Sequence, residues 1–442
     1  MSHPFTDKHI LFGITGGIAA YKAADWIRAL RQRGAEVTVV MTESATRFVT
    51  PLTFAALSGN KVECEIFDSQ HPESIAHITL AKKCDLMIIA PATANTIARL
   101  AHGMADTLLS TIALATQAKV LVFPAMNSAM YLHPATQNNI TQLTTLDYTV
   151  IPPDCGSMAC GDHGPGRLPE WSTAEAAIAT ALSAQDLTNQ HILITAGPTQ
   201  EPLDPVRFIS NRSTGKMGYA LASAACQRGA MVTLISGPSN LPPPIGVEII
   251  QVRTALEMRQ AVFERYHAAT VIIKTAAVSD FRPNTISDQK IKKVATTSSC
   301  LDLTANPDIL YELGAQKGKD SRPLLVGFAA ESENHIKEGL RKLASKNLDL
   351  MIVNDILRQD TGFAADTNQV IIIDKNGGTT SLPLLSKEET SHRILDRISQ
   401  LIRPGIKLVF LFHTDSYHHF LLYTPAQSAI PIKYIWHGLM SY

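Results

Sequence analysis

The chain of 442 residues has no excess of charge of either sign: 39 Lys and Arg balance 39 Asp and Glu, and no tract forms a basic arm. Nucleic acid is therefore not an expected partner, because nothing is set aside to neutralise a phosphate backbone. Cysteine is scarce. The six residues Cys64, Cys84, Cys155, Cys160, Cys226 and Cys300 show neither CxxC spacing nor an even ladder. That argues against a zinc ribbon or disulfide framework and fits a reducing cytoplasm. No uninterrupted apolar run reaches about 18 residues, so no membrane-spanning helix is expected. The opening MSHPFTDKHILFGITGGIAAYKAADW is not a secretory signal, since Gly16 and Gly17 cut its apolar run and Lys22 and Asp25 follow.

What is present is alternation. Short apolar runs at 9–15, 37–42, 85–90, 120–124 and 149–152 alternate with stretches of helical period, the pattern of parallel strands joined by crossover helices. An Ala-rich then polar stretch at 172–190 ends where a second series starts, at 191–196, 231–236, 247–252, 271–276, 324–328, 349–353 and 370–374. The length suits two domains. The expected division is 1–180, a linker at 181–190, 191–403 and a tail at 404–442. QRGAEVTVVMTES from Gln32 and QRGAMVTLISGPS from Gln227 echo one another, each placing a glycine between a helix and a β-branched strand. Convergence of any strand-helix-strand unit on this pattern explains that echo better than a true duplication.

Each series opens with its own site. TGGIAAYK, 15–22, joins the first strand to a helix, where Thr15, Gly16 and Gly17 offer free N–H groups and a close approach to a phosphate. The loops MTESATRF (with Thr42 and Ser44), APATANTIARL and FPAMNSAMY gather polar side chains at strand C-terminal ends, where doubly wound folds bind ligands. In the second series a long loop, ITAGPTQEPLDPVRFISNRSTGKMG, separates the strand ending near Ala196 from a helix expected near Ser213. Met217 after Gly215 and Lys216 breaks the Walker A pattern. AAVSDF ends a strand with Asp280, DQKIKK brings Lys290, Lys292 and Lys293 onto a polar segment, and Lys342 and Lys346 stand at i and i+4 on a later helix. Such a like-charge pair costs about 0.2–0.5 kcal/mol unless an anion such as a triphosphate neutralises it.

Taken together, GITGGIAAYK, MTESATRFVTP, AHITL, APATAN, PAMNSAM, ACGDHGPGR, ITAGPTQEPLDPVRFISNRSTGKMG, KIKK, NPDIL and VGFAAE resemble a known family over residues 5 to about 403. It is the family of bifunctional phosphopantothenoylcysteine decarboxylase and phosphopantothenate-cysteine ligase of coenzyme A synthesis. The resemblance implies an α/β architecture: a flavodoxin-like, Rossmann-type parallel-sheet flavoprotein domain holding FMN, then a second Rossmann-like α/β ligase domain. It also implies a homo-oligomer, with trimers of the flavin domain that can build a dodecamer and a dimeric ligase domain.

For the decarboxylase the resemblance implies oxidation of the substrate thiol to a thioaldehyde, loss of the neighbouring carboxylate and reduction of the resulting enethiol. His77 in AHITL matches the histidine base, Asn127 in PAMN the carboxylate-binding asparagine and Cys160 in ACG the proton donor. Thr15, Gly16, Gly17, Thr42 and Ser44 are the cofactor candidates. The chemistry suits each type: imidazole titrates near neutrality, a neutral amide donates without trapping an ion pair, and a thiol can deliver a proton. The family usually has Ser at the position of Cys155, so an oxidative pair with Cys160 is conceivable. A metal site of Cys155, Cys160 and His163 lacks a fourth ligand. CGDHGPGRL, rich in glycine, suits either a closing flap or a static turn.

For the ligase the resemblance implies attack of the 4'-phosphopantothenate carboxylate on the α-phosphate of CTP, release of pyrophosphate and capture of the acyl-cytidylate by cysteine. Asn211 would handle that intermediate and Lys290 would support its formation. Lys274, Thr275, Ala276, Asp280, Lys290, Pro307, Asp308, Ile309, Leu310, Phe328, Lys342 and Lys346 match CTP-binding positions. Mg²⁺ would accompany the triphosphate, with ligands unassigned. The choice of cytosine over adenine comes from the resemblance alone. The small-molecule partners would be 4'-phosphopantothenate, cysteine, CTP and 4'-phosphopantothenoylcysteine.

Two rival readings remain. Related flavoproteins decarboxylate C-terminal cysteines of peptides or move prenyl groups, which the attached second half disfavours. A regulatory subunit would have damaged catalytic positions, whereas His77, Asn127, Cys160, Asn211 and Lys290 are all present. The last 39 residues carry eight of the 27 aromatics and a single acid, Asp415. An added edge strand, a disordered extension or a shifted reading frame would explain them, and the lack of periodicity favours the latter two.

Overall fold

The computed structural model describes residues 4–66, 76–158, 161–292, 300–317, 322–331, 334–355 and 365–402, together with 407–409 and 421–423. Two compact units result: Met1–Asn189 with the short pieces Cys226–Met231 and Pro243–Val247, and Gln190–Ala225 with Val232–Pro242 and Glu248–Tyr442.

In the first unit β1 (His9–Ile14), β2 (Glu36–Met41), β3 (Val62–Glu63), β4 (Leu86–Ala92), β5 (Lys119–Pro124) and β6 (Thr149–Val150) form one sheet in the order β3-β2-β1-β4-β5-β6. Every pair in it is parallel. Parallel strands need crossovers, supplied here by α1 (Ala23–Gln32), α2 (Glu43–Thr46), α3 (Pro51–Ser58), α4 (Ala76–Lys83), α5 (Ala94–Ala101), α6 (Leu108–Ala115), α7 (Ser128–Leu132), α8 (Pro134–Thr145) and α9 (Trp171–Leu182). Helices cover both faces, which is why β4, LMIIAPA, is buried at all seven residues instead of alternating. One face packs Phe12, Trp26, Ile27 and Phe123 together, the other Leu11, Met87, Ile89 and Ile112. Trp26, Ile27 and Leu30 of α1 share a face at helical spacing. Gly34 then ends that helix with φ 88°, the left-handed turn the sequence echo implies, and Gly229 repeats it with φ 87°. A hairpin outside the sheet, β7 (Asp154–Ser157) with β8 (His163–Arg167), has no counterpart in the sequence reading.

The second unit contains β9 (His191–Ala196), β10 (Gln200–Pro202), β11 (Phe208–Ser210), β12 (Met231–Ser236), β13 (Glu248–Gln251), β14 (Val271–Lys274), β15 (Phe281–Pro283), β16 (Leu303–Ala305), β17 (Leu324–Glu331), β18 (Leu350–Asp355), β19 (Thr367–Asn368), β20 (Val370–Asp374), β21 (Thr379–Ser381) and β22 (Leu385–Ser386). Its helices are α10 (Lys216–Gln227), α11 (Ala255–Arg265), α12 (Ile309–Lys317), α13 (His335–Ser345) and α14 (Lys387–Ile402). The main sheet runs β13-β12-β9-β14-β17-β18-β20-β21. Its last two strands are joined antiparallel: β20 pairs with β18 and β21 with β20. An antiparallel neighbour can be reached without crossing the sheet. After Pro404 the described residues form only β23 (Lys407–Val409) paired with β24 (Leu421–Tyr423), attached to neither main sheet; the rest of the tail lies outside the described residues. Among the described residues no helix is long and apolar enough to cross a membrane.

One buried carboxylate ties the far end of this sheet. Asp349, 3% exposed, accepts from Lys317 of α12, from Lys375 at 2.8 Å and from the Leu325 N–H at 2.8 Å. Burial alone pushes its pKa up, but these donors more than offset it and the carboxyl titrates below its ordinary value. Its contribution to stability is therefore present above the unfolded-state pKa and is lost as pH falls through the lower folded value. Asp349→Ala leaves Lys317 buried without its partner and should cost about 3–5 kcal/mol in chemical denaturation. A loss no larger than that of an exposed Asp→Ala control would contradict this role.

Candidate active sites

The strand order of the first unit reverses direction between β1 and β4, and the loops leaving those strands meet at their carboxyl ends. Thr15, 1% exposed, fastens them: its Oγ1 donates to the Pro91 carbonyl at 2.6 Å and accepts from the Thr93 N–H at 3.0 Å. Its hydroxyl is thus engaged inside the protein. Gly16 is held at the next loop, where an added Cβ would come within 2.4 Å of Ser44 Cβ. At Gly17 the nearest atom to an added Cβ is Thr93 Cγ2 at 3.7 Å, so the backbone is open there. The following turn, Ile18–Lys22, is a 3-10 segment leading into α1. Thr42 bonds through its N–H to the Ile14 carbonyl at 3.0 Å, and Ser44 lies exposed on α2.

Asn127 begins α7. Its Oδ1 accepts from the Ala129 N–H at 2.8 Å, which orients the amide so that Nδ2 donates to Asp162 Oδ2 at 2.7 Å. The group expected to hold a substrate carboxylate thus holds a carboxylate. Asp162 is carried by the β7–β8 hairpin, which docks beside Asn127: the Met126 N–H donates to the Gly166 carbonyl at 3.0 Å. Gly166 has φ 147°, and an added Cβ would lie 2.1 Å from the Met126 carbonyl oxygen, so only glycine permits this approach. Cys160 lies outside the described residues, Cys155 is an exposed free thiol, and no hydrogen bond among the described residues joins His77, on α4, to this cluster.

In the second unit a cavity of about 150 Å³ is lined by the start of α10, the end of β14 and the end of β17. It brings Thr275, Ala276 and Phe328 together with Ser213, Gly215 and Lys216, and adds Asn354, Asn368 and Lys387, which the sequence reading missed. The helix expected near Ser213 begins at Lys216. Gly215, at φ 84°, turns the chain before it, and Gly218 lets it press on the sheet, an added Cβ standing 2.5 Å from Ala196 Cβ. Lys216 pairs with Asp366 at 2.6 Å. Lys387 donates to the Ala365 carbonyl, and burial first, then the Lys216 charge, lowers its pKa despite Asp366.

A second group of charges stands at the end of β14. Burial lowers the pKa of Lys274 to about 8; the Asp308 and Asp280 carboxylates oppose that shift and the Lys346 ammonium adds to it. Lys346 pairs with Asp308 at 2.7 Å. The expected repulsive pair is therefore corrected: Lys346 caps the end of α13 instead of lying within it, and a carboxylate neutralises it. Ile309 and Leu310 are core residues, 1% and 5% exposed, so their side chains face the hydrophobic interior. Asn211 donates through Nδ2 to the carbonyls of Ala277 and Val278, at 3.1 and 3.2 Å, beside Asp280. Lys290 is exposed on the segment after β15 and does not line the cavity.

Each unit is thus a strand-helix-strand module with polar loops gathered at one carboxyl edge, the class of two-site α/β enzymes. The Flavoprotein family matches residues 1–183, and the family described as DNA/pantothenate metabolism flavoprotein C-terminal domain matches residues 187–402. The coenzyme A biosynthesis bifunctional protein CoaBC of Bacillus subtilis (strain 168) is 49% identical over 400 residues, covering 89% of this chain and 97% of the relative. That of Escherichia coli (strain K12) is 47% identical over 394 residues, covering 88% and 96%. A crystal structure of the C-terminal domain of a CoaBC protein is 40% identical, covers 50% of this chain and 100% of that one, and has a TM-score of 0.43. The chain belongs to this family of bifunctional coenzyme A biosynthesis enzymes, which join a phosphopantothenoylcysteine decarboxylase to a phosphopantothenate-cysteine ligase.

The Thr15 bridge has a measurable consequence. Thr15→Val keeps the shape and leaves the Pro91 carbonyl and Thr93 N–H without the hydroxyl, a loss of about 1–3 kcal/mol. The first unit should denature correspondingly earlier, and Thr15→Ser should recover most of the difference. Equal stability of Thr15→Val and the unchanged chain would contradict the bridge.

Proposed function

We propose that the first unit binds FMN at the β1–β4 crevice and decarboxylates 4'-phosphopantothenoylcysteine, and that the second makes this substrate from 4'-phosphopantothenate, cysteine and CTP. The observation that carries the first half is the Asn127 amide, fixed by Ala129 and already donating to a carboxylate at 2.7 Å. A neutral donor suits a carboxylate that must leave as CO2, since a full countercharge would stabilise the starting ion. The open backbone at Gly17 and the close Gly16–Ser44 approach give a flavin phosphate room at the loop edge. When bound, the flavin supplies the two-electron oxidation and return reduction. His77 serves as base and Cys160 as proton donor. Ile18 just after the glycine turn, Phe48 between α2 and α3 and Leu52 on α3 are exposed at 63%, 50% and 77%, and we assign them to contacts between flavin-binding units in a cytoplasmic homo-oligomer.

In the ligase unit the cations Lys274, Lys342 and Lys346, with Lys290, offset charge developing on the transferring phosphoryl group. Thr275, Ala276 and Phe328 line the CTP cavity with the start of α10, while Pro307, Asp308, Ile309 and Leu310 contribute backbone. Among the described residues no three His, Cys, Asp or Glu side chains cluster as a metal site. Mg²⁺ would then be held by the triphosphate and water, with Asp280 the candidate protein ligand.

Two experiments test this reading. With phosphopantothenate, cysteine and CTP supplied, Asn127→Ala and Cys160→Ser should accumulate phosphopantothenoylcysteine, whereas Asn211→Asp should suppress its formation; the same product profile from all three would refute the division of labour. The Lys274 ammonium is lost above pH of about 8, so CTP affinity should weaken as pH rises through that value. Lys274→Met should weaken binding at pH 7 and flatten the profile. A profile in Lys274→Met that keeps the same break would assign the titration to another group.

A further inference from the structure

Lys290 and Lys292 of DQKIKK sit on a segment, 284–292, with no helix or strand of its own. It is nevertheless tied to a loop 87 positions earlier. Asp204 lies in the turn between β10 and β11 and is 3% exposed. Its Oδ1 accepts the N–H groups of Val206 and Arg207, each at 2.8 Å. Its Oδ2 accepts from Arg207 Nε at 2.9 Å and Nη2 at 2.6 Å, and then from the Ile291 N–H at 3.1 Å. The same Arg207 Nη2 donates to the Ile291 carbonyl at 2.5 Å. Ser287 adds a backbone bond to the Leu203 carbonyl at 3.1 Å.

Ile291 is therefore gripped on both its N–H and its C=O by one ion pair. A carboxylate that served its own turn alone would need only Val206 and Arg207, and an ionised group at this depth is retained at a cost unless fully bonded. The fifth hydrogen bond reaches out of the turn to the peptide flanked by Lys290 and Lys292. Neither lysine side chain has a hydrogen-bond or ion-pair partner among the described residues, so their backbone anchor decides where they stand.

We propose that Asp204 is a positioning residue for the ligase reaction: with Arg207 it clamps Ile291 and so holds Lys290 where it can meet the reacting phosphate. This rests on the reading of Lys290 as the lysine that supports acyl-cytidylate formation. The ion pair takes no part in bond making. It replaces the ladder hydrogen bonds that a strand would have given the segment, and leaves both lysine charges available.

The test uses the full chain and four variants: Lys290→Gln, Asp204→Asn, the double variant, and Ile291→Pro, which removes the clamped N–H while leaving the turn untouched. Pyrophosphate release with phosphopantothenate, cysteine and CTP gives kcat and KM. Equilibrium CTP binding reports an intact cavity, and decarboxylation of added phosphopantothenoylcysteine reports an intact first unit. Asp204→Asn and Ile291→Pro should each lower kcat by about 10- to 100-fold with CTP affinity little changed, as expected when a reacting group is displaced by about 1 Å. In the double variant the losses should not multiply, because a misplaced lysine and an absent one fail alike. If Lys290→Gln itself releases pyrophosphate at the unchanged rate, the role of Lys290 is wrong. If Lys290→Gln is impaired but Asp204→Asn is not, or the two losses multiply in full, the clamp is overturned. Should Asp204→Asn lose CTP binding through misfolding, Ile291→Pro decides: an unchanged kcat there overturns the proposal.

Discussion

A parallel strand can be followed by another only after the chain has crossed the sheet, so every loop that leaves a carboxyl end is delivered to the same edge. That constraint organises both halves of this molecule. In the first it gathers Thr15, Thr42, Thr93 and Asn127, each at or just beyond a strand end. In the second it gathers Lys274, Thr275, Phe328 and Asn354 in the same way. The burial of β4 at all its residues and of the β9 and β14 interiors is the energetic side of this arrangement: both faces are covered, and the edge alone is left for polar chemistry.

Each edge is then made rigid by short polar ties. Thr15 spends its hydroxyl on the neighbouring loop, Asn127 is oriented by Ala129, and Asp204 with Arg207 grips Ile291. These ties have a common logic. A loop has no ladder to satisfy its backbone, so a side chain that is itself buried or doubly bonded supplies the partner. On the proposed reading the two units apply it to different ends: a standing crevice for a flavin in one, a set of separated cations for a transient triphosphate in the other.

The strands were legible in the sequence because apolar runs bounded by glycine and polar turns leave few other choices, and the Gly34 and Gly229 turns were legible for the same reason. Less legible were the three-residue strands β10, β11, β15 and β16, which are too short to show a period. The antiparallel β20, VIIID, looks like any apolar run from sequence, and β21, Thr379–Ser381, is too short and polar to show as a strand. At the sites, motif resemblance named Asn127, Asn211 and Phe328 as candidates but could not reveal that the Thr15 hydroxyl is engaged inside the protein, that Ile309 and Leu310 belong to the core, or that Lys346 meets Asp308. Asp204 carried one readable signal, Asp-Pro-Val-Arg, which favours an Asx turn. Its reach to Ile291 depends on tertiary placement. Asn354, Asn368 and Lys387 come from strands and a helix start far along the chain, and nothing local marks them as neighbours.

The central claim is that one polypeptide carries both reactions in sequence, the second unit making what the first consumes. The most direct measurement follows pyrophosphate and CO2 together from the purified chain given 4'-phosphopantothenate, CTP and carboxyl-labelled cysteine. The account predicts both products, labelled CO2 approaching pyrophosphate in a one-to-one ratio as turnover proceeds, and neither without CTP. Pyrophosphate released with no labelled CO2, or CO2 released in the absence of CTP, would contradict it.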